Sequence, residues 1–207
     1  MDGNIIGAQY KYIKDNVCQK RFLKNTDRSN SLWMTPIEGS KALFVTEDPL
    51  DAIAHSQLFP GARYAYLCTG GTSTKAQREM IHSFSQKFKL PIILGNDNDL
   101  AGQLENFKLA YHTANIEYAI NSKTQRVLLT VNGAEREWGK DEIVAALQAV
   151  MKQRPNMILS IPWAKDWNDD LRSSKKSISL RIAENMVRAQ IETTKSEQRG
   201  MIAGKLP

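Results

Sequence analysis

The chain has 207 residues, of which 42% are hydrophobic and 24% charged. These values are ordinary for a globular protein of one domain with appendages, and they exclude a wholly disordered chain. No apolar run reaches the roughly 18 residues of a transmembrane helix, and the first residues do not resemble a signal peptide. Cys18 and Cys68 are too few for a zinc ribbon, which needs four clustered ligands.

The net charge is +6 and the isoelectric point is near 9.3. Such a balance favours polyanionic partners, with nucleic acid first among them. Residues 172–207 contain eight Lys or Arg against three Glu. Most of the basic excess therefore lies at the C-terminal end.

The predicted elements begin with two or three short antiparallel strands over residues 9–36, where aromatic and apolar residues alternate with charges and turn residues. An alternating strand and helix rhythm follows, and it predicts an α/β fold with a parallel sheet flanked by helices. Its strands are predicted at residues 42–46, 63–68, 91–94 and 116–120, and its helices at residues 49–58, 74–88 and 100–113.

The rhythm breaks between residues 121 and 155, which are predicted to be an insertion. Asn132-Gly133 suits the turn of a hairpin, and residues 140–153 have the apolar stripe of an amphipathic helix. A further strand is predicted at 157–161, a polar loop at 163–171 and a last helix at 177–194. The predicted organisation is a small β element (1–40), an α/β domain (41–172, with the insertion 121–155) and a basic helix and tail (173–207).

Acidic side chains follow three of the predicted strands. Glu47 comes after the first strand, Asp97 and Asp99 after the third, and Asp166 and Asp169 after the strand that follows the insertion. Ligands of α/β sheets bind at the carboxyl ends of the strands, and like charges gathered there need a cation to remain ionised. Magnesium prefers such oxygen ligands.

The alternative for each acid taken singly is a helix cap. Asp48 precedes Pro49 at a predicted helix start, and Asp99 precedes the helix at residues 100–113. Aspartate is among the preferred N-cap residues. A set of acids that follows separate strands, however, favours a metal site.

Three segments resemble the Toprim family in order and spacing. Residues 45–52 (VTEDPLDA) resemble its glutamate motif, and residues 96–103 (NDNDLAGQ) resemble its D-x-D motif. Residues 165–171 (KDWNDDL) are similar to a downstream segment of plasmid and phage Toprim proteins. One departure is that Asp48 stands where the family usually has glycine after the glutamate.

The resemblance implies roles for five of the acids. Glu47 would be the general acid and base, and Asp97 and Asp99 would be magnesium ligands. Asp51 would support the glutamate or maintain the geometry of the site, and Asp166 would add a further acidic contact. The implied cofactor is Mg²⁺, with Mn²⁺ as a substitute.

Basic and glycine-rich segments are candidates for binding phosphate. The KRFL segment around Lys20 resembles the stretch that precedes Toprim in primase-like proteins of conjugative plasmids and mobile elements. Its basic residues and aromatics could follow a phosphate backbone, or the strands could simply cover the core. The glycine-rich loop after the second strand could offer main-chain N–H groups to a phosphate. The candidates for binding nucleic acid or phosphate are Lys20, Arg21, Lys24, Gly70, Gly71, Thr72, Lys165, Lys175 and Lys176.

The leading hypothesis is a cytoplasmic, magnesium-dependent nucleotidyltransferase of the primase-like Toprim type. Its expected partners are DNA or RNA, as a single-stranded template, with nucleoside triphosphates and other replication or conjugation proteins. A Toprim nuclease or nicking enzyme would use the same acids. A third hypothesis is a non-catalytic DNA-binding module, in which the acids hold only a structural cation.

Overall fold

The computed structural model describes residues 7–15 and 17–173. The first part of the chain forms β1 (Gln9–Lys14), β2 (Val17–Phe22), β3 (Trp33–Met34), β4 (Ala42–Thr46), α1 (Pro49–Leu58), β5 (Tyr64–Cys68), α2 (Lys75–Phe88), β6 (Ile92–Leu94) and α3 (Leu100–Ala110). The later part forms β7 (Ile116–Asn121), β8 (Arg126–Val131), β9 (Ala134–Trp138), α4 (Lys140–Gln153), β10 (Met157–Leu159) and α5 (Trp167–Arg172).

The main sheet has the strand order β10-β6-β4-β5-β3. Neighbouring strands are parallel from β10 to β5, and β3 adds an antiparallel edge. Every residue of β4, β5 and β6 is buried, as their continuous apolar runs require of parallel strands covered on both faces. The predicted parallel sheet flanked by helices is thus confirmed.

The parallel strands end almost level with one another. Val45 is paired with both Leu67 and Leu94, and Leu94 is in turn paired with Leu159. The loops after β4, β5, β6 and β10 therefore leave the sheet from one edge. This edge is called the carboxyl edge below.

Successive strand residues point to opposite sides of the sheet. Because the strands are almost wholly apolar, both faces carry apolar side chains, and helices cover both. Leu43 and Val45 face the cluster that contains residues of α2, α3 and α4. Phe44 faces the other cluster, which contains Ala52 and Ala54 of α1 and Trp167 of α5. The two cores fix α1, α3 and α5 with their first turns at the carboxyl edge.

The predicted N-terminal β element is confirmed as an antiparallel hairpin of β1 and β2. Lys11 lies directly opposite Lys20 in this hairpin. Like charges in such a cross-strand pair repel each other, so the pair needs acidic partners nearby.

The predicted hairpin and helix of the insertion are present as β8, β9 and α4. Asn132 and Gly133 both have positive φ angles, 50° and 86°, as a type I′ turn requires. The residues at 116–120, however, do not form a fourth strand of the parallel rhythm. They belong to β7, which pairs with β8 in a separate three-stranded antiparallel sheet.

The reason for this difference is the exposure of β7. Most of its residues are exposed, whereas a parallel strand must be buried on both faces. The position beside β6 is taken by β10, whose residues are buried or half-buried.

The helix predicted at 177–194, with Lys175 and Lys176 before it, lies outside the described residues. In the part of the chain that the structure describes, none of the helices combines the length and apolar character needed to cross a membrane.

Candidate active site

The loop after β4 carries Glu47 and Asp48. Glu47 is half-exposed, whereas Asp48 is 8% exposed. The Asp48 carboxylate accepts a hydrogen bond from the Leu50 amide at 2.9 Å and so caps α1, and Pro49 occupies the first helical position, where no N–H is needed. The capping prediction for Asp48 is confirmed, and Glu47 is left at the carboxyl edge.

The loop after β6 carries Asp97 and Asp99. Asp99 caps α3 by accepting from the Gly102 amide at 2.9 Å. A Cβ on Gly102 would lie 2.2 Å from the Asp97 carbonyl oxygen, so only glycine lets the first turn of α3 pack so closely on the loop. Gln103 Nε2 donates to the same carbonyl at 2.9 Å, which fixes the Asp97 main chain.

The segment before α5 is attached to the loop after β6. The Asn98 amide donates to the Lys165 carbonyl at 2.7 Å, and the Trp167 indole donates to the Gly95 carbonyl at 2.8 Å. Asp166 caps α5, since its carboxylate accepts from the Asp169 amide at 2.8 Å. These contacts hold Asp166 at the carboxyl edge.

Asp51 lies in the first turn of α1 and is 6% exposed. Its carboxylate accepts a hydrogen bond from Asn168 Nδ2 at 2.6 Å. Asn168 is a residue of the site that the sequence reasoning missed, although it lies within the segment 165–171 whose pattern resembles Toprim proteins. The contact connects α1 to α5 across the site.

The structure brings the five predicted acids together. Burial is the largest cause that raises the pKa of Asp97 to about 7, and the charges of Asp51, Glu47, Asp99 and Asp166 contribute to this value in that order of effect. Burial also raises the pKa of Asp51 to about 6, with contributions from Asp166 and Asp48 that outweigh the hydrogen bond from Asn168. Perturbed carboxylates of this kind are typical of functional sites.

Lysines from the hairpin and from the segment before α5 approach these carboxylates. Lys11 Nζ lies 2.8 Å from Asp48 Oδ1, and Lys20 Nζ lies 3.6 Å from Asp48 Oδ2 and 3.8 Å from Glu47 Oε1. Lys165 Nζ lies 3.8 Å from Asp99 Oδ2. Asp48 is therefore the main contact of the hairpin with the site.

The carboxylates fit a magnesium ion that takes most of its ligands from outside the protein. Within residues 7–15 and 17–173, no three His, Cys, Asp or Glu side chains are close enough to hold a metal by themselves. Magnesium in phosphoryl-transfer sites usually has one or two carboxylates, with waters and substrate phosphates as its other ligands. Oxygen donors with a raised pKa match this chemistry, because a cation would favour their charged form.

The residues predicted to bind phosphate lie in different places. The loop after β5 is joined to the site, because the Gly70 amide donates to the Glu47 carbonyl at 2.9 Å. Lys20 and Lys165 reach the carboxylates, whereas Arg21 is next to Lys20 on a strand and so points to the opposite face. Lys24 is exposed after the end of β2, and Lys175 and Lys176 are outside the described residues.

Comparison with known protein families gives a match. Residues 44–127 match the family model described as Toprim-like, a domain associated with metal-dependent nucleic-acid enzymes such as primases and nucleases. The matched range begins in β4 and contains Glu47, Asp51, Asp97 and Asp99. No curated protein and no solved structure matches the chain.

Proposed function

We propose that this chain is a magnesium-dependent enzyme that transfers phosphoryl or nucleotidyl groups on nucleic acid, as a primase-like Toprim protein of a mobile element. The main support is that burial and four neighbouring acids raise the pKa of Asp97 to about 7. Such a group of carboxylates is costly to fold unless a cation or a reaction uses it. The Toprim-like match over the same residues supports the same conclusion.

Each acid has a proposed role in this reaction. One or two carboxylates of the set Asp97, Asp99, Glu47 and Asp166 would provide the protein oxygen atoms that hold Mg²⁺ or Mn²⁺, with waters and substrate phosphates as the other ligands. The bound cation would stabilise negative charge on the phosphoryl oxygens and orient the attacking group. Glu47 acts as the general base for the attacking hydroxyl and as the acid for the leaving group.

Asp51 has a supporting role in this proposal. It is buried, and its carboxylate accepts a hydrogen bond from Asn168 Nδ2 at 2.6 Å, so it would fix the first turn of α1 against α5. The substrates would be a single-stranded DNA or RNA template and nucleoside triphosphates. The reaction would take place in the cytoplasm, together with other replication or conjugation proteins. The basic residues named above would bind the template.

A non-catalytic binding module is the second candidate function. The observation that favours it is the ion pairing of Lys11 and Lys20 with the acids after β4. In such a module these lysines would neutralise part of the acidic charge permanently. Nucleic acid would then bind the basic surfaces without reaction.

The test is an assay of the purified chain with single-stranded DNA, labelled nucleotides and Mg²⁺ or Mn²⁺. Newly made oligonucleotides are expected, and the double variant Asp97→Ala with Asp99→Ala should abolish them while circular dichroism shows the fold intact. Glu135→Ala, an exposed acid on β9, is the matched control and should keep full activity.

Other outcomes would change the proposal. Shortened DNA that depends on Asp97 would identify a nuclease with the same site. DNA binding without any product would support the binding module. Turnover that the double variant does not lower would contradict the assignment of the site.

A further inference from the structure

Two basic side chains of the N-terminal segment converge on the loop after β5, beside the carboxylates. A Cβ on Gly71 would lie 2.6 Å from the Arg28 guanidinium and 3.9 Å from Lys20 Nζ. Gly71 has a φ of 135°, a backbone conformation that residues with a side chain rarely adopt. The missing side chain therefore opens the space in which Arg28 and Lys20 converge, here called the Arg28 pocket.

Arg28 is exposed, and within the described residues it has no acidic partner. Its guanidinium lies over the Phe22 ring, 5.2 Å from the ring centre. Its main-chain carbonyl accepts from Gln77 Nε2 of α2 at 3.0 Å. Its main chain is thus fixed, its side chain rests on an aromatic face, and the N–H groups of its planar head are available to a ligand.

The side-chain amide of Gln9 and two main-chain amides belong to the surroundings of the same glycine loop. Gln9 Nε2 is buried and has no hydrogen-bond partner, and Gln9 Oε1 lies 4.0 Å from the position of a Cβ on Gly70. In the described part of the chain, the Gly71 and Thr72 amides donate to no protein group. Successive free main-chain amides in a turn are typical of anion-binding concavities.

Lys20 belongs to both the Arg28 pocket and the carboxylate site. Its ammonium lies 3.8 Å from Glu47 Oε1, and the Gly70 amide is hydrogen-bonded to the Glu47 carbonyl. A group bound in the pocket would consequently lie next to the proposed general base. An anion there would also balance the positive charges of Arg28 and Lys20, which converge at Gly71.

We propose that the Arg28 pocket binds one phosphate group of the substrate, with Arg28 as its main charged donor and the Gly71 and Thr72 amides as its main-chain donors. The guanidinium fork matches the geometry of phosphate, and such charge-assisted pairs are strong. This inference rests on the proposed function. The phosphate comes either from the nucleic-acid backbone or from a nucleoside triphosphate, and the two sources are separated by experiment.

The experiment measures binding in EDTA, by fluorescence anisotropy, of a labelled single-stranded oligodeoxythymidine and of a fluorescent dATP analogue. Arg28→Gln should weaken binding of the ligand that occupies the pocket by about tenfold or more, as expected for a charge-assisted hydrogen-bonded pair. Arg28→Lys should recover only part of the loss, since it keeps the charge but not the fork. Arg63→Gln removes the same charge beside the start of β5, at the opposite edge of the sheet, and is the matched control.

The two probes identify the source of the phosphate. Weaker binding of the oligonucleotide, with a salt dependence lowered by about 0.7 in logarithmic slope for one lost contact to a single strand, assigns the pocket to the nucleic-acid backbone. Weaker binding of the dATP analogue alone assigns it to the nucleotide. If Arg28→Gln matches Arg63→Gln with both probes, the pocket proposal is overturned.

Failure of the proposed function would be distinguishable. Binding is measured without divalent metal, so it does not depend on the reaction or on Asp97. An inactive protein in which Arg28→Gln still weakens binding would keep the pocket and lose the enzyme. An active protein with unchanged binding would keep the enzyme and lose the pocket.

Discussion

Glu105 in α3 is a buried carboxylate and Asp97 after β6 a half-buried one, and their surroundings differ. Glu105 is 6% exposed. One of its oxygens accepts from the Ser73 amide at 2.9 Å and from the Ser73 hydroxyl at 2.6 Å, and the other lies 2.6 Å from Lys108 Nζ. Every part of this buried charge has a partner, so it connects α3 to the loop after β5.

Asp97 has the opposite surroundings. The pKa of its carboxyl is raised by burial and by the charges of four other acids. Among the described residues, only Gln103 donates a hydrogen bond to Asp97, and it does so to the main-chain carbonyl. A carboxylate supplied with donors thus serves the fold, whereas one surrounded by acids is stable as an anion only when a cation is supplied.

The largest expected effect in this comparison is that of Glu47→Gln on the reaction rate. Loss of a general acid and base should lower turnover by about 10²–10⁴-fold, because the amide cannot accept the proton. Affinity for nucleic acid should change far less, since the phosphate contacts remain. The measurement is single-turnover rate and binding on the same preparation.

Equal losses of rate and affinity for Glu47→Gln would argue for a structural role like that of Glu105. Glu135→Gln on β9 is the matched control, because it makes the same exchange at an exposed position. It should change neither quantity.

The next effect is on stability, through Glu105→Ala. This change leaves the buried Lys108 ammonium without its partner, and breaking a buried pair in this way costs about 3–5 kcal/mol. Thermal or urea unfolding should show a correspondingly lower free energy of unfolding. The mutation should affect nucleotide chemistry only through stability.

Glu105→Gln sharpens this prediction, because its amide oxygen keeps the hydrogen bonds from Ser73 while the ion pair with Lys108 is lost. It should cost less than Glu105→Ala. A loss of stability no greater than that of the exposed control Glu135→Ala would contradict the structural role of Glu105.

The sequence contains enough to predict the site but not the contacts between distant segments. Glu47 and Asp97 are predictable because each follows an apolar run typical of a buried parallel strand, and such strands end at one edge. The contact of Glu105 with Ser73 is not predictable in this way. The two residues are 32 positions apart, and neither lies in a recognisable motif.

The same limit explains what the sequence missed in the hairpin and at β7. The composition around Lys20 predicts basic strands, but only the register of β1 and β2 places Lys11 beside Lys20 and both at Asp48. Similarly, residues 116–120 have a strand pattern. Whether such a strand joins the parallel sheet depends on β10, some forty residues later in the chain.

The smallest expected effect is that of Asp97→Asn on the stability of the metal-free protein. The pKa of Asp97 is raised from its ordinary value of 3.8 to about 7 in the folded chain, so the folded state binds this proton more tightly than the unfolded state. The stability that this group contributes is fully present below about pH 4 and is lost as the pH rises through about 7. Asparagine does not titrate and avoids this loss.

In EDTA, Asp97→Asn should therefore be more stable than the unmodified chain at pH 8, and the difference should shrink at pH 5. Because Asp97 is partly screened by solvent, the gain is on the order of 1–2 kcal/mol rather than the full value of the pKa shift. Thermal unfolding at the two pH values measures it, with Glu135→Gln as the control. A difference that does not depend on pH would show that Asp97 is not held among acids as described. Added Mg²⁺ should stabilise the unmodified chain more than Asp97→Asn, because only the unmodified chain offers the cation the Asp97 carboxylate.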